Sequence, residues 1–378
     1  MAGVYFHIPF CKQACHYCNF HFRVGLKDDE AMLEAMLEEL KRESKFPFKA
    51  PLDSVYFGGG TPSLFSAQRI ERFLNACERS FGIAAEAEIT LEANPDDLDR
   101  SSMEAYRAIG ITRLSIGVQS FDDGLLRIFN RAHGAEEAER CLRRVNSLGF
   151  KSASADLIFG MPGYGLETLE RDLEQLIELE VPHISPYGLT VEPRTVLAHR
   201  IEKGELSPPD EAETSKAYER IMERLQEAGY EHYEISNFAL PGHRARHNSA
   251  YWTGEPYLGI GPSAHSFDGA SRWWNVAANA RYIRGIREDD PEREREDYDP
   301  VDRANERMLT RIRTEEGLHI EELRPFGIDL WELQGPEIRS MIEEGSLKWE
   351  EERVRLTRKG KLFADRVAER LFILKDDR

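Results

Sequence analysis

Three cysteines near the start of the chain constrain it more than any other feature. Cys11, Cys15 and Cys18 form a C-x3-C-x2-C pattern, and the whole chain holds 5 cysteines. Thiols packed this closely cannot all pair as disulfides, so the pattern predicts a metal or iron–sulfur site. A cubane iron–sulfur cluster normally takes one thiolate per iron. Three local thiolates would therefore leave one iron open to a small molecule.

A zinc site is the alternative. Zinc sites are usually completed by two paired motifs, and no second C-x2-C follows in this sequence. His7 or His21 would then have to supply the fourth ligand. The other two cysteines, Cys77 and Cys141, stand at helical spacing from apolar residues. Because buried free cysteine behaves as a small hydrophobe, we expect both in the core.

Short apolar runs alternate with amphipathic stretches along most of the chain. This alternation predicts parallel strands joined by helices, and six such units predict an α/β barrel or part of one. The predicted strands are residues 4–8, 54–57, 88–92, 113–118, 154–159 and 183–188. The predicted helices are residues 29–44, 67–81, 102–109, 136–148, 169–180 and 211–228. Ser101 with Glu104 resembles a capping box at the start of the third helix.

The chemically unusual residues follow the predicted strands. In such barrels the chemistry lies at the carboxyl ends of the strands. The cysteines follow the first strand and a triple glycine follows the second. Glu92 and Gln119 end the third and fourth strands, and Asp156 lies in the fifth. We therefore expect one barrel mouth to collect them all.

The rest of the chain divides at a charged segment. Strands are predicted at residues 233–237 and 257–260, with a loop at 239–252 between them. Residues 1–286 would form the barrel and its extension, residues 287–300 a charged linker, and residues 301–378 a small C-terminal domain. Its helix at 336–344, alternating run at 347–356 and helix at 359–372 have the order of a winged helix. Its acidic character favours a structural or partner-docking role over DNA binding.

Charge narrows the classes of partner. A net charge of −18 disfavours nucleic acids and anionic membranes, whose phosphates would be repelled. Arg244 and Arg246 are the strongest candidates for a local basic patch, with a solvated loop as the alternative. No apolar run reaches the length of a membrane span, and residues 1–5 lack the features of a signal peptide. We expect a cytoplasmic protein, peripheral at a membrane only through a partner.

Three motifs together resemble one known family. The C-x3-C-x2-C pattern, the run Gly58-Gly59-Gly60-Thr61-Pro62 and the sequence His247-Asn248-Ser249-Ala250-Tyr251-Trp252 resemble the radical-SAM family that contains oxygen-independent coproporphyrinogen dehydrogenases and HemW-like heme chaperones. The resemblance covers nearly the whole chain. It implies a partial (β/α)6 radical-SAM barrel with a winged-helix-like C-terminal domain. It also implies a 4Fe-4S cluster on Cys11, Cys15 and Cys18, with S-adenosyl-L-methionine at the open iron.

The same resemblance implies a set of contacts to S-adenosylmethionine. Gly60 and Thr61 are assigned to the methionine amine, and Arg131 is suited to holding a carboxylate bidentately. When bound, the cofactor and the cluster supply the radical chemistry, and the barrel supplies position and dryness. Taken singly, each contact could instead be a structural polar or aromatic residue. The remaining implied contacts are Tyr5, Tyr17, Glu92, Gln119 and Asp156.

The H-N-x-x-Y-W sequence is associated with heme in HemW-like proteins. The resemblance therefore implies His247 as a candidate axial ligand, with Tyr251 and Trp252 as pocket walls. The alternative is that this motif fastens a loop to the barrel through hydrogen bonds and aromatic burial.

Two functions follow from the resemblance. One is a heme chaperone that carries heme to respiratory hemoproteins, served by an electron donor or a bacterioferritin-like donor of heme or iron. The other is oxygen-independent coproporphyrinogen III dehydrogenase. The dehydrogenase pattern continues C-x3-C-x2-C-x-C, whereas this chain has Phe20 at the position of the fourth cysteine. The dehydrogenase also carries an extension before its first strand, whereas this chain starts almost directly at Val4. Both departures favour the chaperone, while cleavage of S-adenosylmethionine stays open.

Overall fold

A twelve-stranded mixed sheet organises the molecule. The structure is a computed structural model that describes residues 2–48 and 51–374. Its strands are β1 Gly3–Ile8, β2 Phe10–Cys11, β3 Arg23–Val24, β4 Leu52–Gly59, β5 Ile83–Ala93, β6 Arg113–Gln119, β7 Ser152–Phe159, β8 His183–Gly188, β9 Glu231–Glu234, β10 Asn237–Ala239, β11 Tyr257–Ile260, β12 His265–Phe267, β13 Ser271–Asn275, β14 Arg293–Asp297, β15 Leu318–His319, β16 Leu347–Glu350 and β17 Arg353–Leu356.

The helices pack around this sheet and in a second cluster near the C-terminus. They are α1 Asp29–Arg42, α2 Ala67–Phe81, α3 Arg100–Ala108, α4 Asp123–Ile128, α5 Ala135–Leu148, α6 Leu166–Glu178, α7 Val196–Glu202, α8 Glu211–Glu227, α9 Arg246–Trp252, α10 Asn279–Glu288, α11 Pro300–Arg311, α12 Leu330–Glu343, α13 Arg358–Lys361 and α14 Ala364–Leu371. Short 3-10 helices cover Glu43–Lys45, Pro62–Leu64, Pro95–Asp97 and Ile320–Phe326.

Six parallel strands lie in chain order across the centre of the sheet. The order β14-β13-β12-β11-β1-β4-β5-β6-β7-β8-β10-β9 has two ends, so the strands form an open barrel. β11 also pairs in parallel with β1 on its other side. The predicted α/β fold with a partial (β/α)6 barrel is confirmed. All six predicted strands are present, although the third begins earlier, at Ile83.

The apolar periodicity that predicted these elements also builds their core. Phe6 of β1 stacks on Phe57 of β4 at a ring distance of 5.0 Å and contacts the tilted ring of Phe73 of α2 at 4.7 Å. Each such buried side chain contributes about 1.5–3 kcal/mol relative to exposure. Cys77 and Cys141 lie in the same core, as predicted.

The predicted start of helix α3 was wrong in detail. Asp99, not Ser101, is the N-cap, and its carboxylate accepts the backbone N–H of Ser102 at 2.7 Å. Ser101 lies inside the helix and donates its hydroxyl to Asp99. The cap is therefore a side chain two residues earlier than the box suggested.

Three segments after β8 differ from expectation. The strand predicted at 233–237 is a hairpin of β9 and β10, which shifts register near Asn237. The predicted loop at 239–252 ends in helix α9. The charged segment 287–300, predicted as a linker, contributes β14 to the sheet edge beside β13. Alternating charges on an exposed edge strand carry no burial pattern, which is why composition alone suggested a linker.

A second hydrophobic core forms between Val301 and Ile373. It contains α11, the three-stranded sheet β15-β17-β16 and helices α12 and α14. The order of helices and hairpin matches the winged-helix arrangement predicted from the sequence. The last four residues of the predicted 301–378 domain lie outside the described residues. Among the residues that the structure describes, no helix combines the length and apolarity needed to cross a membrane.

Candidate functional site

A cavity of about 630 Å³ opens at the carboxyl ends of the parallel strands. The three thiols of Cys11, Cys15 and Cys18 line it. The structure also brings most of the predicted rim residues to this cavity. They are Tyr17, Gly60, Thr61, Glu92, Gln119, Arg131 and Asp156.

Backbone hydrogen bonds hold the cysteine segment against the barrel. The Arg23 N–H donates to the Pro9 carbonyl at 2.9 Å, and the Gly25 N–H donates to the Cys11 carbonyl at 2.9 Å. On the other side, the His16 N–H donates to the Phe129 carbonyl at 3.0 Å. The segment is therefore tied at both ends, which fixes where its thiols face.

The thiols themselves lie in surroundings suited to metal binding. Burial is the largest effect on Cys11 and raises its pKa to about 12, partly offset by the Thr61 hydroxyl, 3.5 Å from its sulfur. The Arg131 guanidinium donates to the Cys15 sulfur at 3.3 Å. Buried thiols resist ionisation alone but are deprotonated when they bind a metal. The positive charge of bound iron would therefore stabilise the thiolates that burial alone disfavours.

The two histidines considered for zinc are engaged elsewhere. The His7 ring is hydrogen-bonded at Nε2 to the His21 carbonyl, 2.8 Å away, and at Nδ1 to the Tyr5 hydroxyl, 3.2 Å away. His21 Nε2 lies 2.7 Å from Asn279 Oδ1. Across residues 2–48 and 51–374, no three His, Cys, Asp or Glu side chains are grouped around a single metal-ion position. Thiols that each bind a different iron of a cubane do not need one common point.

Gly60 and Thr61 follow strand β4 and connect it to the cysteine segment. The Gly60 N–H donates to the Ile8 carbonyl at 2.9 Å, and the Thr61 N–H donates to the Phe10 carbonyl at 2.7 Å. A Cβ at Gly60 would lie 2.6 Å from the Phe10 carbonyl oxygen. Glycine is therefore required for this close approach of backbones, and Thr61 brings its hydroxyl to the sulfur of Cys11.

Two half-buried carboxyl groups face the cavity. Burial raises the pKa of Glu92 to about 7, against the lowering effect of the Tyr56 hydroxyl, which donates to it at 2.8 Å. Burial likewise raises the pKa of Asp156 to about 7, and a hydrogen bond from Ser185 opposes this shift. Such a pair ionises more readily beside a cation. An ammonium or sulfonium group in the cavity would supply one.

Arg131 and Gln119 provide the complementary polar groups. Arg131 donates to the Gly117 carbonyl at 2.7 Å and to Asn94 Oδ1 at 2.5 Å, while its buried Nε–H has no protein partner within the described residues. An orphan donor on a buried guanidinium fits a carboxylate ligand. Gln119 has φ of 68°, an unusual left-handed conformation for a side chain at a strand end. This strained residue lies in the lining of the cavity.

The two aromatic residues assigned to the cofactor differ in position. Tyr17 lines the cavity, and its hydroxyl accepts from Arg131 at 3.3 Å. Tyr5 lies outside the lining, and its ring stacks on Tyr56 at 5.9 Å. Tyr56 in turn holds Glu92. Tyr5 therefore supports the cavity floor through Tyr56 and does not face the space itself.

His247 does not lie in this cavity. It is a residue of helix α9, where a loop was expected, and is only 2% exposed. Its Nδ1 lies 2.8 Å from Ser54 Oγ and its Nε2 lies 2.9 Å from the Tyr251 hydroxyl. Burial lowers the pKa of His247 to about 3, so the ring is neutral with one donor and one acceptor nitrogen. Both nitrogens are engaged in this structure.

Asn94 is the site residue that the sequence did not single out. Its amide donates to the Thr61 hydroxyl at 3.3 Å and its carbonyl oxygen accepts from Arg131. It therefore links the glycine-rich turn to the residue beside the Cys15 sulfur. Its position two residues after Glu92, just past the end of β5, was the available signal.

The arginines predicted as a basic patch are instead paired: Arg244 contacts Glu231, Glu315 and Glu316.

This fold and site define a radical-SAM protein. Residues 5–176 match the Radical SAM superfamily, and residues 298–363 match the HemN C-terminal domain. Coproporphyrinogen III oxidase (HemN) from Escherichia coli superposes with a TM-score of 0.85 over 98% of this chain and 90% of that chain. At 22% sequence identity, this likeness shows the fold.

Relatives named Heme chaperone HemW match over nearly the full length. That of Lactococcus lactis is 34% identical, covering 99% of this chain and 98% of the relative. That of Bacillus subtilis is 32% identical, covering 97% and 98%, and that of Escherichia coli is 32% identical, covering 97% of both. The chain belongs to the HemW family.

Proposed function

We propose that this protein is a heme chaperone that binds a 4Fe-4S cluster and S-adenosylmethionine in the barrel cavity and delivers heme to respiratory hemoproteins. The observation that carries the proposal is the full-length match to heme chaperones, joined to a cavity that gathers three thiols, two half-buried carboxyls and a buried guanidinium. We place its action in the cytoplasm, with membrane contact only through a partner.

Each part of the cavity has a role in holding the cofactors. Cys11, Cys15 and Cys18 would bind three irons of the cluster, and the fourth would be left for the amine and carboxylate of S-adenosylmethionine. Arg131, with its unused Nε–H, would orient the carboxylate. Glu92 and Asp156 would face the cationic groups.

The structure offers no specific support for the coproporphyrinogen dehydrogenase alternative. Phe20 stands where the dehydrogenase pattern has a fourth cysteine, and its side chain is 69% exposed at the cavity. The likeness to HemN is one of fold. The residues and the full-length relatives therefore favour heme delivery over oxidative decarboxylation.

Heme transfer tests the proposal directly. Purified protein, reconstituted without oxygen and loaded with heme, is mixed with an apo-hemoprotein of the respiratory chain. We expect the acceptor to gain heme and its own activity faster than with free heme at the same concentration. A parallel assay supplies coproporphyrinogen III, reductant and S-adenosylmethionine. Formation of decarboxylated product without heme transfer would contradict the proposal. Adding a bacterioferritin-like protein as heme donor would test the source of the cargo.

A further inference from the structure

A second cavity, of about 520 Å³, lies beside the H-N-x-x-Y-W helix. It is formed by α9, by the strands β11, β12 and β13, and by the start of the C-terminal core at α11. Tyr251 and Trp252, predicted as heme-pocket walls, both line it, whereas His247 does not. The other aromatic walls are Tyr257, Phe267, Tyr298 and Phe326. A planar aromatic ligand would find ring faces here on several sides.

The lining of this cavity is rich in arginine, in a chain whose net charge is −18. Three of its four arginines are ion-paired in the structure: Arg272 with Glu306, Arg307 with Glu322 and Arg313 with Asp365. An anionic ligand would therefore be held chiefly by Arg303, and a carboxylate suits the planar fork of its guanidinium. The four are Arg272, Arg303, Arg307 and Arg313.

Two of these arginines present their charge beside aromatic rings. Arg303 lies over the ring of Phe326 at 4.9 Å. Arg272 lies over Tyr298 at 5.7 Å and pairs with Glu306. A guanidinium stacked on a ring keeps its N–H edge available to a carboxylate.

The cavity also contains polar atoms that lack a partner. Trp252 Nε1 and Arg272 Nε are both buried and make no hydrogen bond within the described part of the chain. Buried donors are rarely left unpaired in a folded protein. Both unpaired donors belong to side chains of this cavity lining, so a ligand with acceptor atoms would meet them there.

His265 is the histidine of this cavity. It is exposed and stands at the start of β12, where its ring stacks on Trp274 at 5.3 Å. No hydrogen bond of the imidazole occurs within residues 2–48 and 51–374, in contrast to His247, whose ring nitrogens are both engaged. Partial desolvation of the ring by its neighbours, together with the nearby Arg272, lowers its pKa, which favours the neutral ring that binds a metal.

We propose that heme binds in this second cavity, with His265 as an axial ligand and its propionates held by Arg303 and Arg272. The inference rests on the proposed heme-chaperone function and assigns its cargo to a specific place. His247 then acts as a positioning residue, because it holds the Tyr251 hydroxyl in the cavity wall.

Heme titration of the full-length reconstituted protein tests this assignment, with the absorption of bound heme as the readout. We expect His265→Ala to weaken binding at least tenfold and to shift the absorption band, because a metal ligand is lost. His199→Ala is the matched control, since His199 is an exposed histidine on α7. Thermal unfolding of each variant would show that the fold is retained.

Heme dimethyl ester, which lacks free carboxylates, tests the arginines. The wild-type chain should bind the ester about tenfold more weakly than heme, since the ester cannot accept a charge-assisted hydrogen bond from the arginines. Arg303→Ala should bind heme more weakly and should discriminate less between the two ligands than the wild-type chain does, because Arg272 alone then remains to hold a propionate. Arg339→Ala is the control, because Arg339 stacks on Trp331 in the same way but away from the cavity lining.

The outcomes separate the two levels of the account. If the wild-type chain binds heme and both His265→Ala and Arg303→Ala keep its affinity and spectrum, the assignment to this cavity is overturned while the chaperone function stands. If the wild-type chain itself binds no heme, the proposed function fails and the assignment falls with it.

Discussion

At the scale of single residues, Arg131 connects the cofactor side of the cavity to the metal side. It contacts the Cys15 sulfur, the Tyr17 hydroxyl and Asn94 Oδ1. We expect Arg131→Ala to weaken S-adenosylmethionine binding by at least tenfold, because a charged hydrogen-bond donor is lost from a buried site. Equilibrium dialysis on reconstituted protein measures this. Arg127→Ala, on the exposed face of α4, should leave the affinity unchanged. Equal binding by both variants would contradict the assignment.

The carboxyl pair gives the site a pH dependence. With the pKa of Glu92 and of Asp156 each near 7, both are partly protonated at neutral pH in the ligand-free protein. Since S-adenosylmethionine is cationic at its sulfonium, binding favours the ionised carboxyls and releases protons. The affinity should therefore rise as pH rises, by about tenfold between pH 6 and pH 8.

Calorimetry in two buffers of different ionisation enthalpy would count the protons released. Asp156→Asn should reduce both the proton release and the pH slope, with iron content measured at each pH to confirm an intact cluster. A pH-independent affinity would show that these carboxyls do not face the cofactor.

The site residues that could be predicted from the sequence are placed by local patterns, whereas the position of His247 depends on a contact with a distant part of the chain. The thiols and rim residues such as Glu92 and Gln119 follow strand ends directly, so spacing and the strand pattern place them together. His247 contacts Ser54 across 193 positions of the chain. Its burial depends on a tertiary contact that no local pattern contains, which is why the sequence left an axial ligand and a structural role as open alternatives for this histidine.

At the scale of elements, the turn after β4 must approach the cysteine segment closely. A Cβ at Gly60 would lie against the Phe10 backbone at 2.6 Å. We expect Gly60→Ala to separate the two segments, lowering both the melting temperature and the iron bound after reconstitution. Gly165→Ala is the matched control, because a Cβ there meets nothing within 4 Å. Wild-type iron content in Gly60→Ala would show that the turn does not position the thiols.

The N-cap of α3 provides a second test at this scale. Asp99→Ala should lower the free energy of unfolding by about 1 kcal/mol, since it removes the acceptor for the Ser102 N–H. Ser101→Ala should cost less because its hydroxyl only contacts Asp99. Chemical denaturation would measure both, and the reverse order would restore the capping box at Ser101.

Two elements, α9 and β14, were missed in the sequence for different physical reasons. Helix α9 is short, and its first N–H groups are satisfied by Glu88, which accepts from Arg246 at 3.1 Å and from His247 at 2.9 Å. A carboxylate from a distant strand thus replaces a local cap. Strand β14 is charged and largely exposed, so it shows none of the alternating burial that identified β1 or β4.

At the scale of the whole molecule, the two cavities lie in different parts of the fold. The first cavity lies at the carboxyl ends of the parallel strands, and the second is formed between the β11–β13 extension and α11. Arg307 of α11 donates to the Thr253 carbonyl just after α9. The match to the HemN C-terminal domain begins at residue 298, close to this junction. The fold thereby separates the cofactor site from the proposed heme site.

The central claim is that Cys11, Cys15 and Cys18 hold a four-iron cluster with one iron open to S-adenosylmethionine. The most direct measurement is iron and sulfide content, with electron paramagnetic resonance of the reduced protein, after reconstitution without oxygen. We predict about four irons and four sulfides per chain and a spectrum that changes when S-adenosylmethionine is added. We expect Cys15→Ser to lose both the iron–sulfur content and this spectrum. Colourless protein that contains zinc or no metal, or a spectrum indifferent to S-adenosylmethionine, would contradict it.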